Sequence, residues 1–122
     1  MKLAITDACI FIDISELQLT SHFFGLDLEI HTSVDVFNEL YPAQRELLKA
    51  FQSVGKLTLH SLDEADRKKI YSEGYPSSLS DNDKTVLHLA DKIEAMVLSS
   101  DKNVRNYSKK KAIEYHGMLW KL

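Results

Sequence analysis

Lys2-Leu3-Ala4-Ile5-Thr6-Asp7 and Ala95-Met96-Val97-Leu98-Ser99-Ser100-Asp101 are the two stretches on which the fold reading rests. Each is a short apolar run closed by an acid. Met96 to Ser99 shows no polar alternation, the pattern of a strand buried on both faces of a parallel sheet. Asp7 and Asp101 therefore fall at the carboxyl ends of strands, where open parallel sheets bind their ligands.

Working outward, Ala8 to Leu17 reads as an apolar helix capped by Thr6 or Asp7, with Ile10, Phe11 and Ile14 on one side and Asp13 and Glu16 on the other. Leu28 to His31 forms a brief extended stretch, and Thr32-Ser33 caps a helix through Val34, Val36, Phe37 and Leu40 that carries Glu39. Pro42 opens a new helix, with Leu47, Leu48 and Phe51 at helical spacing before Gly55 stops it. Lys56 to His60 alternates as a strand does. Asp63 opens a polar helix to about Glu73, and Gly74-Tyr75-Pro76 ends it. Leu79-Ser80 caps a helix with a stripe of Val86, Leu87, Ala90 and Ile93. Asn103 to Lys111 is a further helix, and Ala112 to Tyr115 a last short strand. Strands alternating with helices predict a parallel sheet covered on both faces.

At 122 residues the chain is one domain, 1–122, with room for a sizeable core. Its 44% apolar and 27% charged residues are those of a globular protein. The single cysteine, Cys9, excludes an intrachain disulfide and a cysteine zinc site, and no stretch reaches transmembrane length. An acid at Asp7 interrupts any signal-peptide core, so a reducing cytoplasm is the expected setting, with no membrane partner. Net charge is −3, yet Lys102, Arg105, Lys109, Lys110, Lys111 and Lys121 face only Glu114 after Asp101. Such a basic segment beside an acidic site suits capture of a polyanionic backbone, and equally suits a solvated helix face.

Asp7, Glu39, Asp83 and Asp101 each sit at a strand end or on a helix at one edge of such a domain. Singly, each has an ordinary reading: Asp7 and Asp101 as caps, Ser80-Asp81-Asn82-Asp83 as a capping box, Glu39 as a solvated residue. Together they would repel one another and retain protons unless a cation neutralised them. Magnesium and manganese favour such oxygen ligands and support phosphodiester chemistry.

The segments Ile5 to Ile12, Thr32 to Leu40, Leu79 to Asp83 with Leu87 to Ala90, and Leu98 to Asp101 resemble, in order and spacing, the successive acidic motifs of PIN domains. That resemblance implies an α/β/α sandwich, three layers around a central mainly parallel sheet. It also implies a magnesium- or manganese-dependent endoribonuclease that leaves a 3′-hydroxyl and a 5′-phosphate, as in the VapC toxins of toxin–antitoxin pairs. Carried over by position, Asp7 and Asp101 are central metal ligands and catalytic residues, with Glu39 and Asp83 completing the set. Ser99 and Asn103 are auxiliary, Asp81 is an alternate to Asp83, and Lys102, Arg105, Lys109 and Lys110 steer RNA. An antitoxin and a second copy of the chain are partners the family implies.

Three departures stand out. Cys9 occupies a place that usually holds Asn, Ser or Thr, which weakens the expected hydrogen bond near Asp7. Asn103 stands where many relatives carry a further acid, and the apolar ending Gly117 to Leu122 is expected to pack back through Trp120. These departures keep open an alternative, a catalytically weak or inactive module that binds RNA or a protein. A phosphatase-type pocket is disfavoured because Cys9 stands where its second Asp belongs. His22, His31, His60, His88 and His116 lack zinc spacing, and Cys9 reads as a small packed side chain.

Overall fold

Lys2–Thr6 forms β1, and Asp7 ends it by capping α1 (Ala8–Glu16), its carboxylate accepting from the Ile10 amide. A short α2 (Thr20–Phe24) leads to β2 (Leu28–Ser33), whose last residue caps α3 (Val34–Glu39). Pro42 then starts α4 (Pro42–Ser53), and Gly55, at φ 77°, turns the chain into β3 (Leu57–His60). On the return, Asp63 caps α5 (Glu64–Ser72) and Ser80 caps α6 (Asp81–Lys92). The chain finishes with β4 (Met96–Leu98), α7 (Lys102–Lys110) and β5 (Tyr115–His116). This computed structural model describes residues 1–117, so the expectation for Trp120 lies outside the described residues, as does Lys121.

The strands pair in the order β3-β2-β1-β4-β5, every pairing parallel. From β1 the chain steps outward through β2 to β3, then crosses back to β4 on the other side of β1 and on to β5. Right-handed crossovers place α1 to α4 on one face and α5 to α7 on the other. The helix contacts follow this split except at α3: α1 touches α2, α3 and α4, α6 touches α5 and α7 and lies against β1, β2 and β4, and α3, which starts at the carboxyl end of β2, also reaches α6. The three-layer α/β/α sandwich expected from the sequence is therefore the fold, and its sheet is wholly parallel among the described residues.

Ile5, Val97, Ile30, Val86 and Leu87 are buried where the sheet meets its helices, and β4 is buried throughout, as its unbroken apolar run requires. Truncating Leu87 to Ala would cost about 2–5 kcal/mol. The last strand is displaced from its expected place. Ala112 adopts φ 57° and closes α7 through Ile113 N donating to Ser108 O at 2.8 Å, so β5 begins only at Tyr115. No helix among the described residues is long and apolar enough to cross a membrane.

Candidate active site

The sheet order reverses between β1 and β4, so their carboxyl ends form a topological switch point, the crevice in which open α/β sheets hold ligands. Asp7 and Ser99 emerge there side by side. Ser99 Oγ donates to Asp7 Oδ2 and accepts the Asp101 amide at 3.0 Å, tying the ends of β1 and β4 together through one buried hydroxyl. Thr32 Oγ1 donates to the Thr6 carbonyl at 2.6 Å, fastening the end of β2 to the same place.

Asp7 is 1% exposed. Its Oδ1 accepts from Cys9 Sγ at 2.8 Å and from Ile10 N at 3.3 Å. Burial raises its pKa to about 6, opposed by those bonds and the one from Ser99, with the charge of Asp83 adding to the rise. Cys9 makes the hydrogen bond that was expected to weaken. Rather than merely packing within α1, it faces Asp7, lies 3.8 Å from Ser99 Oγ, and accepts from the Ser100 amide at 3.4 Å. Burial, then the charge of Asp7, pushes its thiol up to about 12, so it stays protonated and unreactive.

Asp101 caps α7, Oδ1 accepting from the Asn103 and Val104 amides at 2.8 and 3.1 Å. Asn103 turns its side-chain amide to Ser78 O at 3.4 Å, bracing the loop ahead of α6. Asp83 occupies the first turn of α6, half-buried, its amide donating to Ser80 Oγ at 3.1 Å. Its pKa is raised by burial, opposed by Ser80, and raised further by the charges of Asp101 and Glu39. Asp83 is thus the electrical hub: it feels Asp101 and Glu39, and Asp7 feels it. Asp81 lies elsewhere, fully exposed and paired with Lys84 at 3.7 Å. Glu39 is exposed at the end of α3. That helix is set against α6 by a contact not foreseen from sequence, Ser33 Oγ to Thr85 Oγ1 at 2.7 Å.

Lys102, Arg105, Lys109 and Lys110 are exposed along α7, and the Arg105 guanidinium lies 5.7 Å from the Tyr115 ring centre. Two polar groupings away from the acids also escaped the sequence reading. His31 Nδ1 meets His60 Nε2 at 2.8 Å across β2 and β3, and His88 Nε2 and Lys92 Nζ reach the buried Asp66 at 2.8 and 3.0 Å. Only the i, i+4 spacing of His88 and Lys92 hinted at the second.

Residues 3–122 match the family model described as a PIN domain. The chain belongs to the PIN-domain family. Solved structures share this PIN fold. A PilT N-terminus domain protein from Sulfolobus solfataricus superposes with TM-score 0.62 at 12% identity, over 96% of this chain and 87% of its own. A domain of a functionally unknown protein from Methanocaldococcus jannaschii gives 0.62 at 21%, over 96% and 91%. VapBC2 from Rickettsia felis, bound to a DNA fragment from its promoter, gives 0.59 at 10%, over 94% and 98%. No curated protein matches the chain.

Among the described residues, no three His, Cys, Asp or Glu groups stand close enough together to cage an ion. Zinc and calcium ask for such a cage. Magnesium keeps several waters and binds through one or two carboxylates, so a spread set of mutually repelling acids suits it. The carboxylates at the switch point, with the pKa of Asp7 and Asp83 raised and the Cys9 thiol kept protonated, fit a hard, hydrated divalent cation.

Proposed function

We propose that this PIN domain is a metal-dependent endoribonuclease whose working groups are Asp7, Asp83, Asp101 and Glu39. The observation that supports it most is the mutual repulsion of these acids at the crevice between β1 and β4, a charge without a basic partner among the described residues. Magnesium or manganese bound there would neutralise charge on a phosphodiester and lower the pKa of water.

The protein's own share is positional. Asp7 is held by Cys9, Ile10 and Ser99 so that its carboxylate does not rotate, and Asp101 Oδ1 caps α7 while Oδ2 takes no bond among the described residues. Burial at Asp7 excludes water and strengthens its interaction with any cation. Lys102, Arg105, Lys109 and Lys110 supply backbone contacts beside the acids. The likeness to VapBC2 supports a place in a toxin–antitoxin pair, with an antitoxin protein and a second copy of the chain as partners. The test is cleavage of single-stranded and structured RNAs with magnesium or manganese. Loss of cleavage in Asp7→Asn supports the reading; undiminished cleavage by that variant would assign the activity to a contaminant.

One observation favours a second reading, a binding module without catalysis: Asn103, which carries no charge, gives its side-chain amide to Ser78 O at 3.4 Å. Calorimetric titration separates the two. Manganese uptake that disappears in Asp101→Ala belongs to the nuclease; absence of uptake belongs to the module.

A further inference from the structure

A second concave surface opens beside the acids. It is a cleft of about 640 Å³ between α5 and the first turns of α6, lined among others by Asp35, Arg67, Tyr71, Asn82 and Lys84. One wall, Asp81 to Thr85, is the segment that carries Asp83. Successive helical residues point about 100° apart, so Asp83 turns to the acidic cluster while its neighbours Asn82 and Lys84 border the cleft. The two surfaces are thus continuous around a single helical turn.

The opposite wall offers a ring and a guanidinium. Tyr71, on α5, is 93% exposed, far beyond what packing explains. Arg67, one turn earlier, is gripped by Asp35, with Nη1 and Nη2 donating to its two oxygens at 2.9 and 3.0 Å. That grip fixes the plane of the guanidinium and uses only part of its five N–H donors. Lys84, its side chain 24% exposed, pairs at 3.7 Å with the fully exposed Asp81, an interaction weak enough to give way.

Asp35 and Asp81 balance Arg67 and Lys84, so the cleft carries no excess charge and cannot hold a polyanion by attraction alone. What it offers is an open aromatic face with directed donors nearby. Unpaired nucleotides match that chemistry, because their bases are free to stack, whereas a duplex hides them.

We propose that the α5–α6 cleft is a subsite for single-stranded RNA, with one base stacked on Tyr71 and the adjoining phosphate met by Arg67 and Lys84. The proposal rests on the nuclease reading for the identity of its ligand, and it is tested separately. A labelled short oligouridine, and the same strand annealed to its complement, are titrated in EDTA with the full chain and with Tyr71→Ala and Tyr71→Phe, following fluorescence anisotropy. Tyr71 is too exposed for either change to disturb folding.

The single strand is expected to bind about 5- to 150-fold more weakly to Tyr71→Ala. Tyr71→Phe should stay near the parent, and duplex binding should ignore both variants. Equal binding of the single strand by Tyr71→Ala and the parent overturns the proposal and leaves the ring to a protein contact. Failure of the parent to bind the strand overturns it as well. Cleavage with added manganese is scored alongside. Tyr71-dependent binding without cleavage removes the nuclease reading and keeps the subsite, while cleavage with Tyr71-indifferent binding does the reverse.

Discussion

Asp7 bears the largest electrostatic cost at the site. Its pKa rises from 3.8 to about 6, led by burial, a gap of roughly 3 kcal/mol. The native state binds the proton more tightly than the unfolded chain, so stability falls as pH rises from 3.8 through about 6, and above that the full penalty applies. Asn, which carries no charge, removes the penalty. Asp7→Asn should therefore stabilise the metal-free protein near neutral pH by up to that amount, while abolishing cleavage. Urea unfolding in EDTA measures it, and the advantage should vanish near pH 4. An Asp7→Asn protein less stable than the parent at neutral pH contradicts the burial argument. Asp7 was legible in the sequence because it closes an apolar run; that Cys9 and Ser99 would grip it was not, since those bonds depend on β1 and β4 lying side by side.

At the scale of elements, capping residues set where helices begin, and so where acids sit. Ser33 ends β2, accepts the Val36 amide at 3.0 Å, and meets Thr85 at 2.7 Å. Ser33→Ala removes a cap and the bond to Thr85, whose hydroxyl still donates to Asn82 O at 2.6 Å, and should cost about 0.5–2 kcal/mol in denaturant unfolding. It should also loosen α3, and Glu39 with it, from α6. A loss below a few tenths of a kcal/mol would mean that Ser33 merely fills space.

The His31–His60 bond, at 2.8 Å, fastens β2 to the edge strand β3. His60 is held below its ordinary pKa of 6.5, first by burial and then by the charge of His31, with Lys92 adding to the depression and Asp66 opposing it. Its contribution to stability is present above pH 6.5 and is lost as pH falls below that value, opposite in sign to that of Asp7. The two windows overlap, so the comparison is made between variants. His60→Gln should lose less stability than the parent on acidification from about pH 7 to 5; parallel pH profiles would count against the assignment.

The boundaries of α1, α4, α5 and α6 were legible from periodicity and caps. α2 was not, being a single short turn after Leu19, and neither was the length of β2, because buried His31, Thr32 and Ser33 read as polar. The expected strand from Ala112 failed on a backbone angle that no residue type at that position announces.

For the whole molecule, the strand order β3-β2-β1-β4-β5 brings residues from opposite ends of the chain to one crevice. Alternating elements made a parallel sheet legible, and PIN-like motifs made its acids legible in order. How closely those acids approach was not, because it is set by loops and by repulsion among the carboxylates themselves. The direct test is a crystal of the protein soaked in manganese, with anomalous scattering locating the metal. The account predicts a peak in the crevice between β1 and β4, coordinated by a carboxylate of Asp7 or Asp101 and linked to Asp83 directly or through water. Anomalous maps with no peak there, or with manganese only on remote surface acids, would contradict it.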